Sequence, residues 1–210
     1  MKHYTKEFPI LEEYGVQAEI DKALRSKVWL KSGGYLVINQ TEALVAIDVN
    51  SGRSTRERGI EETALRTNME AAEEVARQLR LRDLAGLIVI DFIDMEAKKH
   101  NLMVENRLKE SLKVDRARIQ LGHISHFGLM EMSRQRLRPS LAETSFVTCA
   151  HCQGLGLVRS TESSAIHVLR DIEEEGARER ASLIMVHVAN SVAMYILNNK
   201  REALAAIEQR

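Results

Sequence analysis

The sequence predicts an α/β protein: a mixed β-sheet with flanking helices, followed by a knuckle and a small second α/β unit. Two apolar segments, "LVAID" (44–48) and "LIVID" (87–91), have the composition of buried strands, and the stretch between them has helical periodicity. Strand, helix and strand in this order form a βαβ unit, in which the two strands lie parallel in one sheet. A Ser-Gly-Gly turn upstream predicts a hairpin.

The segments before residue 60 predict a short helix and then three strands. "GVQAEIDKALRSK" has the spacing of a modest helix. Ser32-Gly33-Gly34 separates "VWL" from "YLVI", which is typical of a hairpin, and "TEALVAID" follows as a third strand. We therefore expect a meander that leads into the βαβ unit.

The segments after residue 60 alternate between helix and strand. Residues 60–82 fit a 3.6-residue period, and "LAGLIVIDF" is so apolar that it predicts a strand buried on both faces. The remaining predictions are a helix over 96–113, a strand, glycine-containing turn and short helix within 117–138, a hairpin or knuckle over 145–160, a helix over 162–180, a strand over 182–188 and a helix over 190–209. A domain boundary is expected near 140–160.

The composition excludes several classes of protein. The chain has 210 residues with 30 basic and 30 acidic side chains, so any phosphate-binding surface must be local. Aromatic residues are only 4% of the chain, which argues against an extended base-stacking platform. No apolar run is long enough for a membrane span, and the N-terminus lacks a signal-peptide core.

Two aspartates end the two parallel strands of the βαβ unit. Asp48 and Asp91 follow the same apolar pattern, and carboxyl ends of parallel strands meet at one edge of a sheet. Asn50 lies two positions after Asp48, so both side chains share a face. Carboxylate and amide oxygens suit Mg²⁺, which could orient a water and stabilise charge on a phosphodiester. The alternative is that each aspartate only ends a strand or caps a helix, which is the preferred interpretation of Asp94.

Arginines follow the first of these aspartates. Arg53, Arg56 and Arg58 are candidates for phosphate contacts, because guanidinium groups bind phosphate through paired hydrogen bonds. The alternative is a solvated loop. A second cluster lies in "SRQRLR", and contains Arg134, Arg136 and Arg138.

The two cysteines form a C-x-x-C motif in "CAHCQGLG". Glycines after Cys152 oppose a helix start, which disfavours a redox motif and favours a knuckle around a metal-bound sulfur. Structural zinc takes four ligands, and one C-x-x-C supplies two. Either His123 and His126 complete the site, or two chains share one Zn²⁺ through Cys149 and Cys152.

Several long segments resemble the ribonuclease E/G family of bacterial endoribonucleases. They are "GGYLVINQTEALVAIDVNSGR", "IEETALRTNMEAAEEVARQLRLRDLAGLIVIDFIDM", "ENRLKESLKVDRARIQ", "FGLMEMSRQRLRPSL" and "CAHCQGLG". The resemblance implies Mg²⁺-dependent cleavage of single-stranded RNA, in messenger decay and in the processing of ribosomal and transfer RNA. It also implies that Asp48, Asn50 and Asp91 form the catalytic metal cluster, and that Cys149 and Cys152 share a structural Zn²⁺ with a second chain.

The resemblance implies a domain organisation as well. Residues 1–145 match a DNase-I-like catalytic subdomain, with 1–15 as an upstream linker; 146–160 match the zinc link, and 161–210 match an incomplete small dimerisation domain. It implies a homodimer that can pair into a homotetramer, RNA-decay complexes as partners, and a cytoplasmic location with peripheral attachment to the inner membrane through regions outside this chain.

Two departures from the family bear on these expectations. The OB-fold RNA-binding domain and the pocket for the RNA 5′ monophosphate lie upstream of the matching region, so we expect a fragment or a truncated relative. Ala150 replaces a proline that many members have after the first cysteine, but both thiols remain. Two alternatives to an endoribonuclease stay open: a non-catalytic, zinc-linked dimerisation and RNA-binding module, and a thiol redox protein.

Overall fold

The chain divides into two compact units, Met1–Phe146 and Val147–Arg210. The structure is a computed structural model that describes residues 3–52, 59–180 and 182–209. Along these residues, no helix combines the length and apolar character that a membrane crossing needs. Each unit has its own hydrophobic cluster.

The first unit is built around one six-stranded sheet. Its elements are α1 (Ile10–Glu13), α2 (Val16–Ala23), β1 (Lys27–Trp29), β2 (Tyr35–Gln40), β3 (Val45–Asn50), α3 (Ile60–Leu81), β4 (Gly86–Asp91), α4 (Lys98–Leu112), β5 (Ile119–Ile124), β6 (Leu129–Arg134) and α5 (Leu141–Ser145). The strand order is β1-β2-β3-β4-β6-β5. Strands β3 and β4 are parallel and every other pair is antiparallel, which confirms the mixed sheet and the βαβ unit.

Helices α3 and α4 pack on each other and belong to the same core as the strands. The buried face of α3 is rich in alanine, and such small side chains allow a close approach to its neighbours. Strand β3 contributes Val45, Ile47 and Val49 to this core, and β4 contributes Ile88 and Ile90. The alternation of the strands therefore sends the residues between them to the opposite face.

The opposite face of the sheet is open, which corrects the prediction for β4. Leu87 is 46% exposed and Val89 is half-buried, so β4 is fully buried on one face only. Both strand faces are apolar in sequence, and apolar composition alone does not report whether a second layer covers the sheet. The open face is the one that carries Asp48 and Asp91.

The short helix predicted near residue 130 is wrong, because this segment forms β6. Met130, Met132 and Arg134 are buried, whereas Glu131 and Ser133 between them are exposed. That two-residue period belongs to a strand. Strand β6 lies between β4 and β5, and pairing on both sides decides its conformation.

The second unit contains three helices among its described residues. They are α6 (Thr161–Ala177), α7 (Asn190–Asn199) and α8 (Arg201–Glu208). The helix predicted over 190–209 breaks at Lys200, which has a non-helical backbone. The strand predicted over 182–188 is not formed: the segment has no neighbouring strand among the described residues, and a strand needs one to satisfy its backbone.

Candidate active site

The sheet brings together the three residues that the sequence singles out. Asp48 on β3 lies in register with Asp91 on β4, so their Cα atoms are about 5 Å apart. Asn50 ends β3 on the same open face, and its Nδ2 donates a hydrogen bond to Asp48 Oδ2 at 2.9 Å. The amide thereby holds the Asp48 carboxylate in one orientation.

The charges of this cluster act on Asp91. Its partial burial, followed by the negative charges of Asp48 and Asp94, raises the pKa of the Asp91 carboxyl above its ordinary value. Neighbouring carboxylates repel each other, and a bound cation removes that repulsion. The arrangement therefore favours a positively charged ligand at this edge of the sheet.

Asp94 belongs to this cluster and is not a helix cap. The N-cap of α4 is Ala97, which has no side-chain hydrogen bond. The backbone N–H groups of Glu96 and Ala97 donate instead to the Glu61 carboxylate, at 3.0 and 3.2 Å. Because Glu61 on α3 already supplies these acceptors, Asp94 remains free of the capping role.

Two further residues position the chain beside Asp91. The buried Asn68 side chain donates to the Ile93 carbonyl at 2.8 Å and accepts from the Ile93 N–H at 3.0 Å. Gly128 closes the β5–β6 turn, where a Cβ would lie 3.0 Å from Asp94 Oδ1. Sequence reasoning missed both, although a fully buried asparagine on the apolar face of a helix is a signal.

The Ser32-Gly33-Gly34 hairpin supports the end of β3. A Cβ on Gly34 would lie 2.7 Å from the Asn50 carbonyl oxygen and 2.9 Å from Thr67 Cγ2. The Ser32 N–H donates to Glu70 on α3 at 3.0 Å, which ties the turn to the helix. The glycine is therefore needed for close packing against the strand that carries the site.

We expect Gly34→Ala to destabilise the protein by about 1–3 kcal/mol, because the new methyl group meets backbone that cannot move aside. Urea unfolding measures the change. Gly176→Ala is the control, since open space surrounds that position and alanine is the better helix former. Equal stability of Gly34→Ala and the parent would contradict the close packing.

Only one of the two arginine clusters lies within the described residues. Arg53, Arg56 and Arg58 lie outside the described residues, so their phosphate contacts stay a prediction. The second cluster lies within the described residues. Its three members form ion pairs within the first unit, namely Arg134 with Asp115, Arg136 with Glu143, and Arg138 with Asp83.

The C-x-x-C motif forms a series of turns and does not begin a helix. Hydrogen bonds from the backbone N–H groups of Cys152 and His151 hold the pKa of the Cys149 thiol below its ordinary value. Gln153, Gly154 and Gly156 have positive φ, which gives the segment its tight curvature. His123 lies in the first unit, with its Nδ1 2.9 Å from Glu105 Oε2.

The donor atoms of the sheet site suit a hard cation. Mg²⁺ takes one or two carboxylates, and keeps waters in its remaining positions. Asp48 and Asp91 supply two carboxylates, and Asn50 supplies an amide. Within the described ranges, no group of three or more histidine, cysteine, aspartate or glutamate side chains has a metal-binding arrangement, so an ion here would rely on water for most of its ligands.

Comparison with known protein families decides the relationship. The model of the ribonuclease E/G family matches residues 1–137. The chain belongs to the ribonuclease E/G family. The model of the RNase E/G thioredoxin-like domain matches residues 148–210, which include the C-x-x-C motif and helices α6–α8.

Individual members of the ribonuclease E/G family match the whole chain or nearly all of it. Ribonuclease E of Escherichia coli strain K12 is 55% identical over 210 residues, and that of Haemophilus influenzae is 53% identical. Ribonuclease G of E. coli K12 is 38% identical over 208 residues. The chain spans about a fifth of these ribonuclease E sequences (20% and 22%) and 42% of the ribonuclease G sequence.

Proposed function

We propose that this chain is the metal-dependent catalytic core of an endoribonuclease that cleaves single-stranded RNA. The observation that carries the proposal is the in-register pair Asp48 and Asp91 on an open sheet face, with Asn50 bonded to Asp48. The relatives are named ribonucleases, which supports RNA as the substrate. Messenger decay and the processing of ribosomal and transfer RNA are the roles we propose for the whole protein.

We propose a separate role in the reaction for each of these residues. Asp48 and Asp91 would hold Mg²⁺, and Asn50 would keep the Asp48 carboxylate oriented for that task. When bound, Mg²⁺ supplies charge stabilisation at the phosphate and a more acidic water. The open face admits a phosphodiester, and the arginines at 53, 56 and 58 are proposed to contact its oxygens.

The test is cleavage of an end-labelled single-stranded RNA by the chain, with Mg²⁺ and with EDTA. We expect Mg²⁺-dependent products that carry a 5′ phosphate and a 3′ hydroxyl. Mn²⁺-induced relaxation of NMR signals tests the site without relying on activity, because signals near Asp48 and Asp91 should broaden first. RNA binding without cleavage and without such broadening would favour the non-catalytic module.

We also propose that the turns at residues 148–156 form a zinc link between two chains. Cys149 is exposed and Cys152 is half-buried, so a second chain can reach both thiols. Backbone hydrogen bonds lower the pKa of the Cys149 thiol, which favours the thiolate that zinc requires. A homodimer follows from the shared ion, and pairing of dimers would produce a tetramer.

We expect about half a Zn²⁺ per chain, because four thiolates from two chains complete one tetrahedral site. Native mass spectrometry together with elemental analysis measures the dimer and the metal. The variant with both Cys149→Ser and Cys152→Ser should lose the zinc and the dimer together, whereas His123→Ala should keep both. A metal-free pair that oxidises reversibly would instead support the redox alternative.

The cellular setting is proposed from the same relationship. A reducing cytoplasm suits two free thiols, and RNA-decay complexes are the proposed partners of the whole protein. Fractionation of cells that express the full-length gene product measures its distribution between cytoplasm and inner membrane.

A further inference from the structure

Three side chains at one edge of the open sheet face form an aromatic cluster with a cation. Trp29 and Tyr35 pack edge to face, with their ring centres 5.3 Å apart. The Lys27 Nζ lies 3.5 Å from the centre of the Tyr35 ring and 4.3 Å from that of Trp29. The cleavage chemistry proposed above uses none of these residues.

The register of the sheet places this cluster in line with the candidate active site. Trp29 pairs with Tyr35, and Tyr35 pairs with Asn50, so these three side chains form one row on the open face. Adjacent strands are about 4.8 Å apart, which puts Trp29 about 10 Å from Asn50 along the row. A short stretch of an extended strand can cover that distance.

A second row runs beside the first and contains the other residues of interest. Lys27 pairs with Val37, Val37 with Asp48, and Asp48 with Asp91. The cation of the cluster and the carboxylates of the active site therefore occupy the two ends of the same row. Between them the open face offers Val37, which is half-buried and uncharged.

The exposure of Trp29 has no explanation in the packing of the unit. Trp29 is 65% exposed, although tryptophan is among the most apolar side chains and usually buries most of its surface. Its ring is held in place by Tyr35 and Lys27 instead of by the core. Exposed aromatic rings together with positively charged groups are the features with which proteins bind single-stranded nucleic acids.

We propose that Trp29, with Lys27 and Tyr35, forms a stacking subsite for one nucleobase of single-stranded RNA. The RNA backbone would run across the open face, from this subsite to Asp48 and Asp91. Lys27 supplies a positive charge for the adjoining phosphate. Because every base has a π-face, the subsite discriminates little between bases and instead fixes the strand relative to the cleaved bond. The inference rests on the proposed ribonuclease function.

The chain contains a single tryptophan, so its fluorescence reports on this residue alone. We expect a single-stranded oligoribonucleotide to quench the tryptophan emission saturably, with the same midpoint as the anisotropy of a fluorescein label on the RNA. Raising the salt concentration should weaken both signals together. Binding seen by anisotropy with unchanged tryptophan emission would overturn the proposal.

Variants separate stacking from other contributions. Trp29→Ala should weaken RNA binding about tenfold, the effect expected for one stacked base, whereas Trp29→Phe should retain most of the affinity. Tyr14→Ala is the matched control, because Tyr14 is an aromatic residue that is 70% exposed. Circular dichroism and the thermal midpoint establish that each variant is folded.

An abasic oligoribonucleotide of the same length supplies the second comparison. Parent and Trp29→Ala should bind the abasic strand equally, since it offers no ring to stack. Equal losses on the intact and the abasic strand would show that Trp29 acts on the backbone or on folding, which overturns the proposal. Unchanged RNA affinity with an altered oligomeric mass would assign the surface to a protein contact, and also overturns it.

The two proposals can fail separately. If RNA quenches Trp29 but Mg²⁺ produces no cleavage, the stacking subsite stands and the proposed catalytic function fails. If the chain cleaves RNA at the same rate, KM and affinity with and without Trp29, the catalytic function stands and the subsite fails. Absence of any RNA binding contradicts the subsite whatever the cleavage assay shows.

Discussion

Replacing Asp91 by asparagine is expected to lower Mg²⁺-dependent RNA cleavage by at least about 100-fold, because even an outer partner of a metal ligand typically contributes roughly 10–100-fold. The substitution removes a charge and keeps the shape of the side chain. Asp91 lies in register with Asp48, so the loss leaves a single carboxylate to hold the ion. Single-turnover cleavage of a labelled RNA measures the effect.

The same substitution should leave folding stability equal or slightly higher. Partial burial, followed by the charges of Asp48 and Asp94, raises the pKa of Asp91, which means that both the burial and these charges disfavour its ionised form. Removing the Asp91 charge relieves this repulsion. Activity should therefore fall while stability does not, and the thermal midpoint measured without metal tests the prediction for stability.

Two further variants make the Asp91 result specific. Asp21→Asn removes an exposed carboxylate from α2 and should change neither cleavage nor stability. Asp48→Asn should resemble Asp91→Asn, and the double variant should be no worse than either one, because the two residues act as a unit. Losses that multiply in the double variant would contradict a shared ion.

Asp115→Asn is expected to destabilise the first unit by about 3–5 kcal/mol, the usual cost of removing one partner from a buried ion pair. Arg134 donates to both carboxylate oxygens of Asp115, at 2.8 and 3.1 Å, and both side chains are only 2% exposed. Asparagine keeps one acceptor oxygen and replaces the other by an NH2 donor, so the buried guanidinium loses its counter-charge and one of its acceptors, while the Leu84 carbonyl at 2.8 Å remains. Urea unfolding measures the free-energy change.

The pH dependence of this pair has a definite sign. Burial by itself would raise the Asp115 pKa, but hydrogen bonds from Arg134 and the Ala117 N–H, together with the charges of Arg134 and Arg80, leave it lowered. Because the Asp115 pKa is lower in the folded than in the unfolded protein, the ionised carboxylate stabilises the fold at pH values above the unfolded pKa of about 3.9. This stabilisation is lost as the pH falls through the pKa of the folded protein. The difference in the free energy of unfolding between the parent and Asp115→Asn should therefore become smaller at acidic pH.

Glu73→Gln serves as the control for the buried pair. Glu73 and Arg107 form an ion pair at 3.1 Å, with side chains that are 55% and 47% exposed. Water and salt screen such pairs, so we expect a loss of about 0–1 kcal/mol. If Asp115→Asn costs no more than Glu73→Gln at neutral pH, the buried pair is not a major source of stability.

The part of the fold that the sequence predicts correctly is the part with strong local periodicity. Helix α3 and the strands on either side have long, regular apolar patterns, and they match the structure within a few residues. The predictions fail in two short segments. Strand β6 forms because it pairs with β4 and β5, and residues 182–188 form no strand. Backbone pairing between distant segments decides such cases, and local pattern does not encode it.

The sequence also predicts some residues of the candidate site correctly and misassigns others. Asp48, Asn50 and Asp91 can be selected from the sequence because the ends of parallel strands meet at one edge of the sheet. Asp94 is misassigned as a helix cap because Glu61, which lies 33 positions earlier in the sequence, takes that role. The arginines of "SRQRLR" look suited to phosphate, yet their partners come from elsewhere in the chain.

The sequence by itself determined the βαβ unit, the pair of aspartates at its strand ends and the knuckle with two thiols. These features depend on residue type and spacing over short distances. The tertiary structure alone decided that one face of the sheet is open and that Trp29, Tyr35 and Lys27 share that face with the aspartates. Strand order and register set these neighbours, and both follow from long-range packing that no local pattern records.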